Sequence, residues 1–221
     1  MGGWTDFTLA LLAFLASHMI PARPRIRSAL VGAVGVKPYI LGYSLLSVLI
    51  LIWLVSAAAQ APYVQVLPPH AALRWAPALL MALACPLIVA GISIRNPLSF
   101  GGMGQGQFDP EHPGVLALSR HPLLLALALW SLAHLLANGD LAHVVLFGGF
   151  AAFSIMGMTL IDRRKQRMMG EEWSRLARNT ARFSLRGAGA LLHAHALIGG
   201  AALYLLLFAL HATVIGVSPV P

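Results

Sequence analysis

Two histidines lie well inside apolar stretches, where an ionisable side chain is costly and commonly has a function. His18 lies five residues before Arg23 in the first apolar stretch, and His134 lies fourteen residues after Arg120 in the fourth. Neutral imidazole is a strong axial ligand for haem iron, and haem is apolar enough to lie among helices. The two histidines are therefore a candidate metal-ligand pair for haem.

The rise of a helix allows a rough test of this pair. If Arg23 and Arg120 mark one membrane surface, His18 lies about 7 Å and His134 roughly 20 Å from it. A depth difference of roughly 13 Å suits two ligands on opposite faces of one haem, with iron–nitrogen bonds of about 2 Å. An alternative also fits, in which each buried histidine only bonds a neighbouring carbonyl group.

Arg120 and His121 precede a proline, which suits the first turn of a helix because its missing N–H has no partner there anyway. The free amides at such a helix start favour an anion. A phosphate, a carboxylate or a haem propionate would fit, so Arg120 and His121 are candidate cofactor-binding residues. The alternative is a basic anchor at the inner membrane surface.

The composition indicates which elements must carry these residues. The 221 residues are 58% hydrophobic and 10% charged, with a mean hydropathy of +0.78. A soluble domain is normally about a quarter charged. We therefore expect a single-domain, all-α membrane protein, a bundle of about six transmembrane helices over residues 1–221. The spans are predicted at 4–20, 39–59, 72–94, 121–137, 141–161 and 191–217.

The basic residues predict the orientation. Fourteen of the fifteen lie in the loops after the first, third and fifth stretches, and only Arg74 lies on the other side. By the positive-inside rule these loops are cytoplasmic and both termini are periplasmic. Because the net charge of +8 is concentrated in the loops, it does not indicate a nucleic-acid partner. A single cysteine, Cys85, excludes a disulfide within the chain.

Two of these loops have a distinct composition. Residues 95–120 hold a glycine run that could approach a ligand closely, but it lacks the GxGxxG spacing of a dinucleotide site. Residues 162–186 alternate basic and apolar residues, which predicts an amphipathic helix at the anionic inner surface. A solvated basic connector is the alternative for this second loop.

Four segments of the sequence carry a family resemblance. They read FLASHMIPARPRIR, YSLLSVLILIWLV, LSRHPLLLALALWSLAHLLANGDLAHVVLFGGFAAFSIMGM and LHATVIGVSP. Together they resemble the NnrU family of bacterial inner-membrane proteins over nearly the whole chain. The resemblance implies a multi-pass protein of the bacterial cytoplasmic membrane, associated with denitrification through nitrite and nitric oxide metabolism.

The NnrU family is similar to the plant 15-cis-ζ-carotene isomerase, a membrane enzyme that uses haem b. Its haem ligands are a histidine in the first conserved span and the histidine of a W-C-x-A-H run, which correspond to His18 and His134 here. The run's cysteine, an alternative ligand in that enzyme, is replaced by Ser131. A hydroxyl is a poor iron ligand compared with a thiolate, so a ligand exchange at Ser131 is not expected.

A shorter resemblance points to another class of enzyme. The RHP run at the start of the fourth span and the later Glu171-Glu172-Trp173 are similar to isoprenylcysteine carboxyl methyltransferases, which bind S-adenosylmethionine at the cytoplasmic face. The tyrosine that those enzymes usually have shortly after RHP is replaced by Leu124, the second residue after Pro122. A methyltransferase or a carotenoid-type isomerase is therefore the alternative function, and an assembly factor without a cofactor is a third hypothesis.

Overall fold

A computed structural model describes residues 3–21, 23–68, 70 and 73–220. Over these residues the chain is helical and forms no named strand, which confirms the predicted all-α class. The α-helices are α1 (Trp4–Met19), α2 (Pro24–Val34), α3 (Val36–Ala59), α4 (Ala76–Ser93), α5 (Pro122–Ala137), α6 (Leu141–Met169), α7 (Glu171–Ala177) and α8 (Ala194–Ile215). Within the same described residues, 3-10 helices occur at Gly114–Ala117 and Leu185–Leu192.

Helix length limits the number of spans, because crossing a bilayer takes about 20 apolar residues. Within the described residues, α3, α4, α6 and α8 are long and apolar enough, and α1 with α2 counts as a fifth if the bent pair is one span. Helix α5 is apolar but has only 16 residues. The chain is thus a helical membrane protein with four or five candidate spans, and the predicted count of about six is not confirmed. The first residue of the predicted third span, Ala72, lies outside the described residues.

Helix α6 extends beyond its predicted end at residue 161. It continues to Met169, because residues 162–169 contain no glycine or proline, and Gly170, with φ of 56°, ends it. Part of the predicted amphipathic segment at 162–186 therefore forms the last turns of α6, and α7 follows after Gly170.

The chain divides into two compact units. The first comprises Met1–Leu67 and Gly139–Leu146. Within it α1 packs against α3, and the Trp53 Nε1–H donates a hydrogen bond to Asp6 Oδ1 over 3.2 Å. The amides of Val66 and Leu67 donate to the Gly139 carbonyl, each over 2.9 Å, so the segment before residue 68 is held beside the turn that starts α6.

The second unit comprises Pro68–Asn138 and Phe147–Pro221, where α4 packs against α5 and α8. Glycines allow both approaches, as small residues commonly do between membrane helices. A Cβ atom added at Gly91 would lie 2.8 Å from Pro122 Cγ at the start of α5, and one at Gly200 of α8 would lie 2.6 Å from Pro86 Cα. The prediction of one domain over residues 1–221 stays a prediction.

Candidate functional site

His134 lies on α5 among aromatic rings of the second unit. Its Nδ1–H donates to the Trp130 carbonyl four residues earlier, over 2.8 Å. The His134 ring centroid lies 4.6 Å from that of Trp130 and 5.0 Å from that of Phe147, and Phe150 stacks on Trp130 at 6.1 Å. The half-buried imidazole therefore has flat apolar neighbours on α5 and α6.

His18 lies near the end of α1 in the first unit. Its Nδ1–H donates to the Phe14 carbonyl over 2.9 Å, and Ser17 Oγ lies 3.1 Å from the same nitrogen. The Phe14 ring centroid lies 4.2 Å from that of His18, and the Tyr43 ring lies edge-on at 6.2 Å. His18 thus also has an aromatic residue four positions before it.

The two histidines share one local arrangement. Because a carbonyl oxygen can only accept, Nδ1 must carry the proton in both rings, and in the neutral form Nε2 then carries the lone pair. Metal-ligating histidines almost always donate their other ring N–H to a carbonyl or carboxylate in this way. From the sequence, a hydrogen bond to a neighbouring carbonyl and a role as a metal ligand were alternatives for each histidine. One ring can do both, because the two functions use different nitrogens. Each ring can act as a ligand through Nε2.

Among the residues that the structure describes, no group of three or more His, Cys, Asp and Glu side chains could hold a metal ion. Haem iron needs only one or two protein ligands, because the porphyrin supplies the other four. Ser131, fully buried on α5, donates its hydroxyl to the Leu127 carbonyl over 2.7 Å, as expected for a residue that packs closely.

Arg120 and His121 meet a carboxylate of the chain itself. Arg120 Nη2 donates to Asp162 Oδ2 over 3.0 Å, and its Nε lies 3.3 Å from Oδ1. His121 Nε2 lies 3.1 Å from Asp162 Oδ1, and Arg182 Nε donates to Oδ2 over 2.9 Å. The anion expected at the start of α5 is thus Asp162 of α6 in this structure, and an added anion at Arg120 and His121 stays a prediction.

Both ring nitrogens of His121 are engaged within this cluster. Nε2–H donates to the Asp162 carboxylate, so Nδ1 accepts the Ser99 hydroxyl at 2.9 Å in the neutral form. His121 is fully buried, and the Asp162 side chain is only 4% exposed. The imidazole thereby links three parts of the second unit: the start of α5, the end of the apolar part of α6, and the loop after α4.

The Arg120 guanidinium also contacts Thr180 and Trp173. Its Nη1 donates to the Thr180 carbonyl over 3.2 Å, and its Cζ lies 5.4 Å from the centroid of the Trp173 ring, within cation–π range. Through these contacts Arg120 also holds the segment around and after α7.

Sequence reasoning missed Asp162, the central acceptor of this cluster. One signal was available, because it is the single carboxylate of α6 and comes directly before the basic run Arg163-Arg164-Lys165. Glu171 and Glu172, which the sequence singled out, are both exposed. Glu172 pairs with its neighbour Arg175 on α7 at 2.6 Å, and this hydrogen bond lowers the pKa of the Glu172 carboxyl.

Comparison with known proteins adds one match. The family model described as NnrU protein matches residues 6–219 of the 221-residue chain, and so covers α1 to α8 except for the first two residues of α1. Comparisons with curated proteins and with solved structures found no match.

Proposed function

The chain belongs to the NnrU family, and on that premise we propose that it is a bacterial inner-membrane protein that binds haem b and acts in nitrite or nitric oxide metabolism. The family supports the link to denitrification. The observation that carries the haem is the arrangement shared by His18 and His134, in which Nδ1–H is bound to the carbonyl four residues earlier. His134 and His18 are the proposed iron ligands.

The surroundings of His134 fit such a group. A porphyrin is a flat apolar ring, and flat apolar surfaces are offered by the Trp130 and Phe147 rings beside His134 and by the Phe150 ring stacked on Trp130. The Trp130 carbonyl holds the His134 ring in the tautomer that binds iron through Nε2. When bound, haem would supply an iron that exchanges one electron.

Arg120 and His121 have a positioning role in this proposal. They hold the start of α5, the helix that carries His134, by binding Asp162. A fixed helix start determines where the His134 imidazole lies, three to four turns further along. Direct contact of Arg120 or His121 with a haem propionate remains a prediction beside this role.

The visible spectrum of the purified protein tests the proposal. Expressed with ample haem supply, the wild type is expected to show a Soret band and a pyridine haemochrome spectrum of haem b. His134→Ala removes an iron ligand and should lower the haem content per protein several-fold or shift the Soret band.

Ser131→Ala is the matched control, because Ser131 lies on the same helix and its hydroxyl donates to the Leu127 carbonyl. Its spectrum should equal that of the wild type. His195→Ala, which removes an exposed histidine, controls for histidine loss in general. A monodisperse wild-type protein without Soret absorbance would refute the haem proposal, and His134 would then be a residue of helix packing only.

A further inference from the structure

A third histidine lies beside His134 within the second unit. His211, near the end of α8, has its ring centroid 6.3 Å from that of His134, with 31° between the ring planes. The family resemblance assigns no role to His211. Its position is a consequence of tertiary structure, because 77 residues separate the two histidines in the sequence.

The end of α8 orients the His211 ring. Gly216, with φ of 84°, ends the helix in the left-handed conformation, and the chain turns so that the Val217 carbonyl lies 2.7 Å from His211 Nδ1. Nδ1–H therefore donates to that carbonyl, and Nε2 carries the lone pair in the neutral ring. His211 thus has the same tautomer as His134, with a backbone carbonyl as the acceptor in each case.

The separation of the two rings suits a shared iron. With iron–nitrogen bonds of about 2 Å, two imidazoles on opposite sides of one iron place their ring centroids roughly 6 Å apart. The angle between the ring planes is not restricted by such a pair, because each ring can rotate about its own iron–nitrogen bond. The centroid separation of 6.3 Å is compatible with two ligands of one iron.

Four further histidines of the second unit make contacts of their own. His121 binds Ser99 and Asp162, and His112 pairs with Asp109 on an exposed loop at 2.8 Å. His193 and His195 lie next to each other before and within the first turn of α8, with ring centroids 6.0 Å apart. Only His211 combines proximity to His134 with a carbonyl-bound Nδ1 among the interactions described.

We propose that His211 is an alternative to His18 as the second histidine that would bind the haem iron beside His134. This inference rests on the proposed haem binding and adds one ligand to it. His134 is then common to both pairs, and the second unit holds a complete set of protein ligands by itself. Ligation by His211 involves no change in the oxidation state of the iron.

Single and double variants, read by spectroscopy, test the inference. His18→Ala should remain six-coordinate and low-spin, because His211 supplies the second imidazole. His211→Ala should also remain low-spin, with His18 as the ligand. The double variant His18→Ala/His211→Ala should become five-coordinate and high-spin, with a blue-shifted Soret band. Free imidazole should restore the low-spin spectrum of the double variant if its pocket is folded.

The matched control is His18→Ala/His193→Ala, which also lacks two histidines but keeps His211. It should stay low-spin. A high-spin spectrum in the single variant His18→Ala would overturn the role of His211 while leaving haem binding by His134 intact. An equally low-spin spectrum of the double variant His18→Ala/His211→Ala would overturn it as well. Absence of haem from the wild type would refute both this inference and the proposed function.

Discussion

His121 Nε2 lies 3.1 Å from Asp162 Oδ1, and this contact joins the residue directly before α5 to α6 with both side chains buried. Asp162 also accepts hydrogen bonds from Arg120 and Arg182. A buried carboxylate is stable only when it is paired and its oxygens are satisfied, and here both oxygens have two donors. The cluster is therefore the main polar connection among the helices of the second unit that the structure describes.

Asp162→Asn should destabilise the protein strongly. The substitution keeps the shape of the side chain but leaves the largely buried Arg120 without its counter-charge, and breaking a buried pair costs about 3–5 kcal/mol. Denaturation of the detergent-solubilised protein measures the loss. Glu172→Gln is the matched control, because it removes an exposed ion pair on α7 and should leave stability unchanged. Equal stability of Asp162→Asn and the wild type would contradict the structural importance of this cluster.

Asp140, in the turn before α6, should make stability depend on acid pH. Burial raises the pKa of its carboxyl, but bonds from the His143 amide and Nδ1 outweigh this, and the pKa lies below its ordinary value of 3.8. A lowered folded-state pKa means that the stabilisation is present above the unfolded pKa and is lost as pH falls through the folded pKa.

The melting temperatures of Asp140→Asn and the wild type, compared across pH, measure this effect. The variant should be less stable at neutral pH, and the difference should shrink as the pH falls below about 4. Asp109→Asn is the control, because its pair with His112 is exposed and should contribute little at any pH. A difference that stays constant down to acid pH would exclude the Asp140 carboxylate as its source.

Fusion of reporters tests the orientation that the basic loops predict. Both termini are expected in the periplasm, so alkaline phosphatase fused after Pro221 should be active. The same reporter inserted in the loop at 107–112 should be inactive, because the positive-inside rule places that loop in the cytoplasm. Green fluorescent protein at the same positions gives the opposite readout. Fluorescence from the C-terminal fusion would reverse the predicted orientation.

Calorimetry with S-adenosylmethionine tests the alternative function. Arg120, His121 and Glu172 make bonds to other side chains of this chain, so we expect no saturable heat of binding. The variant Arg120→Lys keeps the positive charge but loses the bidentate contact with Asp162, and its heat of binding is compared with that of the wild type. Saturable binding to the wild type that Arg120→Lys weakens would favour a methyltransferase over the proposed haem protein.

The sequence by itself determined the class of protein, the positions of its apolar helices and its family. Helices α3, α4, α6 and α8 occur within or around four predicted spans, because long apolar runs must form helices in a membrane to satisfy their own backbone. The RHP run predicted the start of α5, because proline suits the first turn of a helix. This prediction, too, needed only residues that are adjacent in the sequence. Each of these predictions depends on residues that are neighbours in the chain.

Only the tertiary structure decided which polar groups meet. Asp162 lies 42 residues from Arg120, and His211 lies 77 residues from His134, so no local pattern indicates either pair. Their contacts depend on how α4, α5, α6 and α8 pack, which in turn depends on close approaches at positions such as Gly91 and Gly200. Helix positions follow from local hydropathy, whereas pairing between helices follows from the shapes of their packed faces.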